Sequence, residues 1–128
     1  MPDYTSFSPS IVISAGMPML PGEGNLTTGN VYFVSSTVAN RSDSSSQGTV
    51  PTLPFATLDY AVGRCTANQG DTIYVMPGHA ETISAAAGLD LDVAGIRIIG
   101  LGWGNTRPTF TFATATGADM DVDAANIT

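Results

Sequence analysis

Short strand-like segments recur in this chain at almost the same interval, and this regularity limits the possible folds more than any other feature. Residues 73–76 are followed 23 positions later by residues 96–99, and residues 120–123 begin after another 24 positions. A repeat of this length cannot bury its apolar face alone, so we expect neighbouring repeats to stack as a solenoid. A stack of strands is rigid, which favours a function in display, attachment or carbohydrate processing.

The composition restricts the partners that the chain can have. Its 128 residues allow at most one ordinary domain, and only 12% of them are charged, against about a quarter in a typical soluble domain. Lysine is absent and the net charge is −7. Because nucleic acids and anionic membranes attract basic proteins, we expect neither as a partner. We also expect no transmembrane helix and no signal peptide, since neither pattern is present.

The first 30 residues differ from the rest of the chain. Prolines and glycines recur there, which prevents a long helix or a central strand. Low charge combined with apolar content is not the composition of a free disordered tail. We therefore expect an extended arm that binds another subunit, with a strand packed on its own domain as the alternative. The apolar residues that would make the contact are Ile11, Val12, Ile13, Met17, Met19 and Leu20.

The middle of the chain indicates a strand, a polar loop and a helix, in that order. Residues 31–34 are β-branched or aromatic, which predicts a strand, and a loop rich in serine follows. Apolar residues spaced at helical intervals predict a helix over residues 57–65, which would seal the first coil of the solenoid. The chain therefore divides into an arm (1–30), a strand with its polar loop (31–54), and a helix with the first coils (55–128).

The order of motifs between residues 31 and 83 resembles the start of the pectate-lyase-like right-handed parallel β-helix superfamily. The matching pieces are VYFV at 31–34, SDS at 42–44, PFATL at 54–58, GDTI at 70–73, PG at 77–78 and Glu81. His79 departs from the pattern, which has an aromatic or small residue at that place. The resemblance implies an all-β fold, namely the first coils of a right-handed parallel β-helix with a short capping α-helix and the extended arm in front.

Within that superfamily, the chain is most similar to virion proteins of tailed bacteriophages, which are usually homotrimers. The resemblance implies a non-enzymatic structural protein on the virion surface, made in the host cytoplasm and attached through its arm to the major capsid protein or another virion protein. A capsid decoration or head-fibre role is favoured because the arm is apolar and carries no charged side chain between residues 4 and 22. The alternative is a tail spike or tail fibre whose distal β-helix binds or cleaves host surface glycans, since enzymes and inert scaffolds share the fold.

Acidic residues near the end of the chain are the first candidates for chemistry. Asp119, Asp121 and Asp123 alternate with apolar residues, so they point to one side of a strand and could hold a hard cation such as calcium. A solvated acidic face explains them equally well, and the same holds for Asp90 and Asp92. We assign no catalytic, metal-binding or cofactor-binding residue, and we expect no cofactor.

Three single residues have two interpretations each. His79 could be a general base or ligand, but a lone histidine beside a turn is more often a surface residue. Trp103 is expected to be buried at a corner, with sugar stacking or protein contact as the alternative. Cys65 cannot form an internal disulfide, and its apolar setting predicts a buried, inert thiol.

The end of the sequence also predicts a contact. Residues 126–128 read as a strand that enters a further coil, and nothing polar caps it. Because an exposed apolar solenoid end promotes aggregation, we expect the natural chain to continue beyond Thr128 or this end to bind a partner.

Overall fold

Short strands dominate the structure, a computed structural model that describes the backbone of residues 12–14 and 17–19 and all of residues 28–114 and 117–128. A single α-helix and a 3-10 helix over Gly104–Thr106 accompany the strands in these ranges. The elements in chain order are β1 (Val12–Ser14), β2 (Met17–Met19), β3 (Val31–Val34), α1 (Leu58–Arg64), β4 (Thr72–Val75), β5 (Ala80–Ile83), β6 (Leu89–Leu91), β7 (Arg97–Gly100), β8 (Thr109–Phe112) and β9 (Met120–Val122).

The strands after β2 pair in parallel. Within the described ranges, β3, β4 and β7 form a three-stranded sheet in that order, β5 pairs with β8, and β6 pairs with β9. β1 and β2 pair with each other in antiparallel orientation. The predicted arm coincides with β1 and β2 only in part, since Ile11 and Leu20 lie outside the described residues. The binding role of the arm and the division into three segments therefore stay predictions.

The predicted right-handed parallel β-helix is wrong. The described residues form small sheets of two or three strands, each strand only three or four residues long, beside one helix. The predicted repeat holds only in part. Its first two segments lie on the adjacent parallel strands β4 and β7, with Ile73 opposite Ile98 and not opposite Ile96, whereas Met120 of the third segment lies opposite Leu89 in another sheet. Strand register depends on which side chains reach the core. Similar spacing of apolar segments therefore did not correspond to one stacked repeat.

The three-stranded sheet contains the most deeply buried strand. All four residues of β4 are buried, because the strand has neighbours on both edges and side chains packed on both faces. On one face the rings of Phe33 and Tyr74 stack with their centres 5.8 Å apart. On the other face Ile73 and Val75 belong to the hydrophobic core, together with Val34 of β3. A strand buried on both faces has a nearly continuous apolar sequence, which is the pattern of β4.

The helix α1 begins and ends within the predicted range, so the helix prediction is confirmed. Thr57 is the N-cap, and its side-chain oxygen accepts a hydrogen bond from the backbone N–H of Tyr60. Asp43 supports this cap from the polar loop, because its carboxylate accepts hydrogen bonds from the backbone N–H and the hydroxyl of Thr57. The apolar side of the helix faces the core through Leu58, Ala61 and Val62.

A buried carboxylate joins three parts of the fold. Asp71 is fully buried, and its two side-chain oxygens accept hydrogen bonds of 2.7 Å from the backbone N–H groups of Asn30 and Thr66. Its backbone carbonyl accepts a further bond of 3.0 Å from Arg97 N–H. Hydrogen bonds to a charged acceptor contribute about 1.5–3 kcal/mol each. Asp71 therefore fixes the start of β3, the exit from α1 and the start of β7 relative to β4.

The polar loop after β3 is held against the core at Gly48. The N–H of Gly48 donates to Leu53 carbonyl at 2.7 Å, and its carbonyl accepts from Phe33 N–H at 2.8 Å. Gly48 has a φ of 89°, and a Cβ atom there would overlap the ring of Phe55, which is fully buried. Only glycine combines this backbone conformation with the close approach of the ring.

We expect Gly48→Ala to destabilise the fold and the matched substitution Gly63→Ala to stabilise it. The first forces a methyl group into the Phe55 ring and a left-handed backbone, with a cost of about 2–4 kcal/mol. The second lies inside α1 with nothing within 4 Å of the new methyl group, so helix propensity should add up to about 1 kcal/mol. Urea denaturation measures both free energies of unfolding. Equal stability of Gly48→Ala and the wild-type chain would contradict this account of the loop.

Candidate interaction surfaces

The last strand, β9, leaves apolar side chains exposed to solvent. Met120 and Val122 of β9 lie directly opposite Leu89 and Leu91 of β6. The two leucines are buried, whereas Met120 is 49% and Val122 is 53% exposed. Neighbouring side chains from β7, β8, α1 and the chain end line an open concavity of about 440 Å³. We call this surface the apolar face and define it by Ile98, Phe110, Phe112, Met120 and Ile127 of the concavity, together with Val122, which lies on the same side of β9 as Met120.

Carboxylates lie beside the apolar face. Asp90 of β6 and Asp121 of β9 are opposite each other in the parallel register, and like charges at such positions repel. The side-chain Oδ1 of Asp90 has no contact with water and no hydrogen-bond partner. Desolvation, followed by the charges of Asp92, Asp123, Asp121 and Asp59, raises the pKa of Asp90 above its ordinary value. We call these five carboxylates the acidic row.

The three aspartates that were considered as cation ligands have different surroundings. The carboxylate of Asp119 accepts a hydrogen bond from the backbone N–H of Ala87. Asp121 and Asp123 belong to the acidic row and are exposed. In the part of the chain that the structure describes, no three His, Cys, Asp or Glu side chains are grouped so that they could hold a metal ion. The arrangement is therefore a repulsive acidic surface beside an apolar one.

We expect Asp90→Asn to raise the melting temperature at pH 7. Because the pKa of Asp90 is raised on folding, its contribution to stability is present below its ordinary value of 3.8 and is lost as the pH rises through the folded-state value. Asparagine carries no charge at any of these pH values, so the variant does not lose stability in this way. The difference in melting temperature between Asp90→Asn and wild type should therefore shrink as the pH is lowered toward 4. Thermal unfolding between pH 3.5 and 7.5 measures it.

Asp92→Asn is the matched control for this experiment. It removes one of the neighbouring charges and leaves the Asp90 carboxyl in place, so its gain at pH 7 should be smaller. A gain in Asp90→Asn that is the same at pH 4 and pH 7 would mean that the charge of Asp90 is not the cause.

Trp103 is exposed, and the prediction that it is buried at a corner is wrong. Its side chain is 90% exposed, although its backbone is firmly held. Thr106 Oγ1 accepts a hydrogen bond from Trp103 N–H at 3.0 Å and donates one to Trp103 carbonyl at 2.7 Å. The residue before it, Gly102, has a φ of 117°, and a Cβ there would lie 2.5 Å from Thr106 carbonyl oxygen. The turn therefore presents the indole outward from a fixed position.

His79 is buried, contrary to the expectation of a surface residue. Its Nε2 lies 3.0 Å from Glu81 Oε2, and the same oxygen accepts a hydrogen bond of 3.0 Å from Leu58 N–H at the start of α1. The imidazole also packs against Phe110, with ring centres 5.4 Å apart. The sequence contained one usable signal, because His79 directly precedes β5 and Glu81 is two residues further along, a spacing that puts two side chains on the same face of an extended segment. Because Glu81 binds both His79 and the start of α1, the histidine joins β5 to the helix. This contact gives His79 a structural role.

Cys65 lies at the end of α1, partly buried against the core. Its Sγ donates to the backbone carbonyl of Ala61 at a distance of 3.4 Å. Burial, followed by the charge of Asp71, raises the pKa of the thiol from 9.0 to about 12. The thiolate that reacts with electrophiles is therefore scarce at neutral pH.

We expect folded protein to react with iodoacetamide at pH 8 at least about tenfold more slowly than protein unfolded in urea, because the raised thiol pKa and partial burial both suppress the reaction. Mass spectrometry of timed samples measures the rate. Equal rates in the two states would show that the thiol is neither shielded nor shifted.

Comparisons with protein-family models, curated proteins and solved structures found no match for this chain. No helix in the described ranges is both long enough and apolar enough to cross a membrane.

Proposed function

We propose that this chain is a non-enzymatic structural protein of a bacteriophage virion, attached to the capsid surface through residues 1–30 as a decoration or head-fibre protein. The order of motifs from residue 31 to residue 83 supports this proposal, since it is similar to that of tailed-bacteriophage virion proteins. The composition of residues 4–22 supports it too, because this stretch is rich in apolar residues and carries no charged side chain. Such a segment fits a long contact along a protein shell.

The exposed apolar face is the observation that most strongly supports a role in an assembly. Monomeric proteins rarely expose a large contiguous apolar patch, so the exposed side chains of Phe112, Met120 and Val122 favour a contact with another molecule. The proposed partners are the major capsid protein or another virion protein at residues 1–30, and two further copies of the chain in a homotrimer. The proposed location is the virion surface, after synthesis in the host cytoplasm.

Deletion of residues 1–27, which keeps Asn30 and its hydrogen bond to Asp71, tests this proposal in particles. Phage should be grown with the wild-type gene, the deletion, or Trp103→Ala as a control that leaves the arm intact. We expect wild-type and Trp103→Ala protein in gradient-purified particles, and the deleted form only in the soluble lysate. Quantitative mass spectrometry measures the copy number per particle. Absence of the wild-type protein from pure particles would contradict a virion role.

A photo-crosslinker placed between residues 5 and 25 distinguishes the two attachment sites. We expect it to capture the major capsid protein. Capture of a tail protein would exclude the capsid role and favour the alternative. Light scattering of the purified chain checks the proposed trimer.

A tail spike or tail fibre that binds host surface glycans is the second candidate, and Trp103 favours it. A fixed, exposed indole beside the exposed polar side chains of Asn105 and Arg107 is suited to stack on a sugar ring while polar groups bind its hydroxyls. Under this alternative, Trp103→Ala should abolish binding to polysaccharide from the host surface. Under the capsid proposal, the wild-type chain should not bind that polysaccharide.

A further inference from the structure

We propose that β9 accepts an extended segment of another polypeptide as an added parallel strand, and that this segment alternates apolar and basic residues. The inference rests on the proposed function in one respect, because it takes the apolar face as a contact within an assembly. It names what the partner must look like, which the proposed function does not.

The apolar half of the pattern follows from the register. Leu89 and Leu91 are each covered by the residue opposite them on β9, namely Met120 and Val122. These two residues are about half exposed because no strand covers them in turn. In a parallel pair, residues in register lie on the same face. The residues of an added strand that lie beside Met120 and Val122 must therefore be apolar.

The backbone of β9 is available for this pairing. Within the described ranges, β9 pairs with β6 and with no other strand. β7, in the three-stranded sheet, shows the contrast, since Ile98 N–H donates to Thr128 carbonyl at 2.7 Å and Thr128 N–H donates to Ile96 carbonyl at 3.1 Å. The chain thus lays an extended segment on the outer edge of β7 and leaves that of β9 open. An open edge next to exposed apolar side chains is the surface used in β-strand addition.

The basic half of the pattern follows from charge complementarity. Asp121 lies between the two apolar residues of β9 and directly beside Asp90. A residue that an added strand places next to Asp121 therefore meets the acidic row, where a third carboxylate would be repelled and a lysine or arginine attracted. A second copy of this chain brings the same acidic row, and none of its basic residues lies in a strand with a free edge. Arg41 is in the polar loop, Arg64 ends α1, Arg107 lies in the turn before β8, and Arg97 is in β7, which pairs with β4 on one edge and with Thr128 on the other. The occupant is therefore a different polypeptide.

Synthetic peptides test the pattern directly. The probe is a labelled nine-residue peptide in which valine alternates with lysine, compared with a valine–glutamate peptide and with a peptide of the same valine and lysine content in blocks. We expect the alternating lysine peptide to bind up to about fivefold more tightly than either control, the effect of one favourable cross-strand charge pair. Fluorescence polarisation at low ionic strength measures the affinities.

Three variants separate the proposed contact from general effects. Asp121→Lys should reverse the preference, so that the glutamate peptide binds more tightly than the lysine peptide. Val122→Thr keeps a β-branched side chain and removes apolar contact, so it should weaken binding of the lysine peptide several-fold. Trp103→Ala lies outside the face and should leave every affinity unchanged.

Four results would overturn the inference. They are no binding of the alternating lysine peptide, equal binding of the block peptide, an unchanged preference in Asp121→Lys, and self-association of the wild-type chain that Val122→Thr abolishes. The last result would make a second copy the occupant. Because the particle experiment depends on residues 1–27 and the peptides depend on β9, either proposal can fail while the other stands.

Discussion

The parallel pairing of β3, β4 and β7 around buried Asp71 is the constraint on which the rest of this structure depends. β4 is buried on both faces and has a strand on each edge, so its position determines where the neighbouring strands lie. Asp71 sits immediately before it and binds backbone N–H groups from two separate segments. A buried carboxylate is tolerated only when such bonds replace water. The exit from α1 and the start of β3 are therefore fixed by one side chain.

Burial decreases from this sheet toward the later strands, and the interaction surfaces lie where it is lowest. β6 is protected by β9 on one edge, whereas β9 exposes Met120 and Val122. The carboxylates of Asp90 and Asp121 face each other nearby. Their repulsion is tolerated because the leucines of β6 gain burial from the same pairing. The balance between apolar burial and charge repulsion thus gives the surface an apolar strip beside an acidic one.

The candidate surfaces were predictable only in part. The alternation of aspartate with apolar residues in 119–123 indicated an acidic side and an apolar side, and both exist. It did not indicate that Asp90 would lie opposite Asp121, since this depends on strand register. Trp103 was predicted to be buried and is exposed, whereas His79 was predicted to be exposed and is buried. Their exposure depends on the turn at Gly102 and on the contact with Glu81, which neither residue's immediate sequence specifies.

By itself the sequence determined the low charge of the chain and three local elements, namely the helix after Thr57, the strand at residues 31–34 and the polar loop. Capping, periodicity and β-branched residues act over a few positions, so they can be read without knowing the neighbours. Only the tertiary structure decided that Ile73 pairs with Ile98, that Met120 pairs with Leu89, and that the described strands form small separate sheets in place of the predicted β-helix. The physical reason is that strand pairing joins residues 25 to 41 positions apart, where burial of the whole core selects the register.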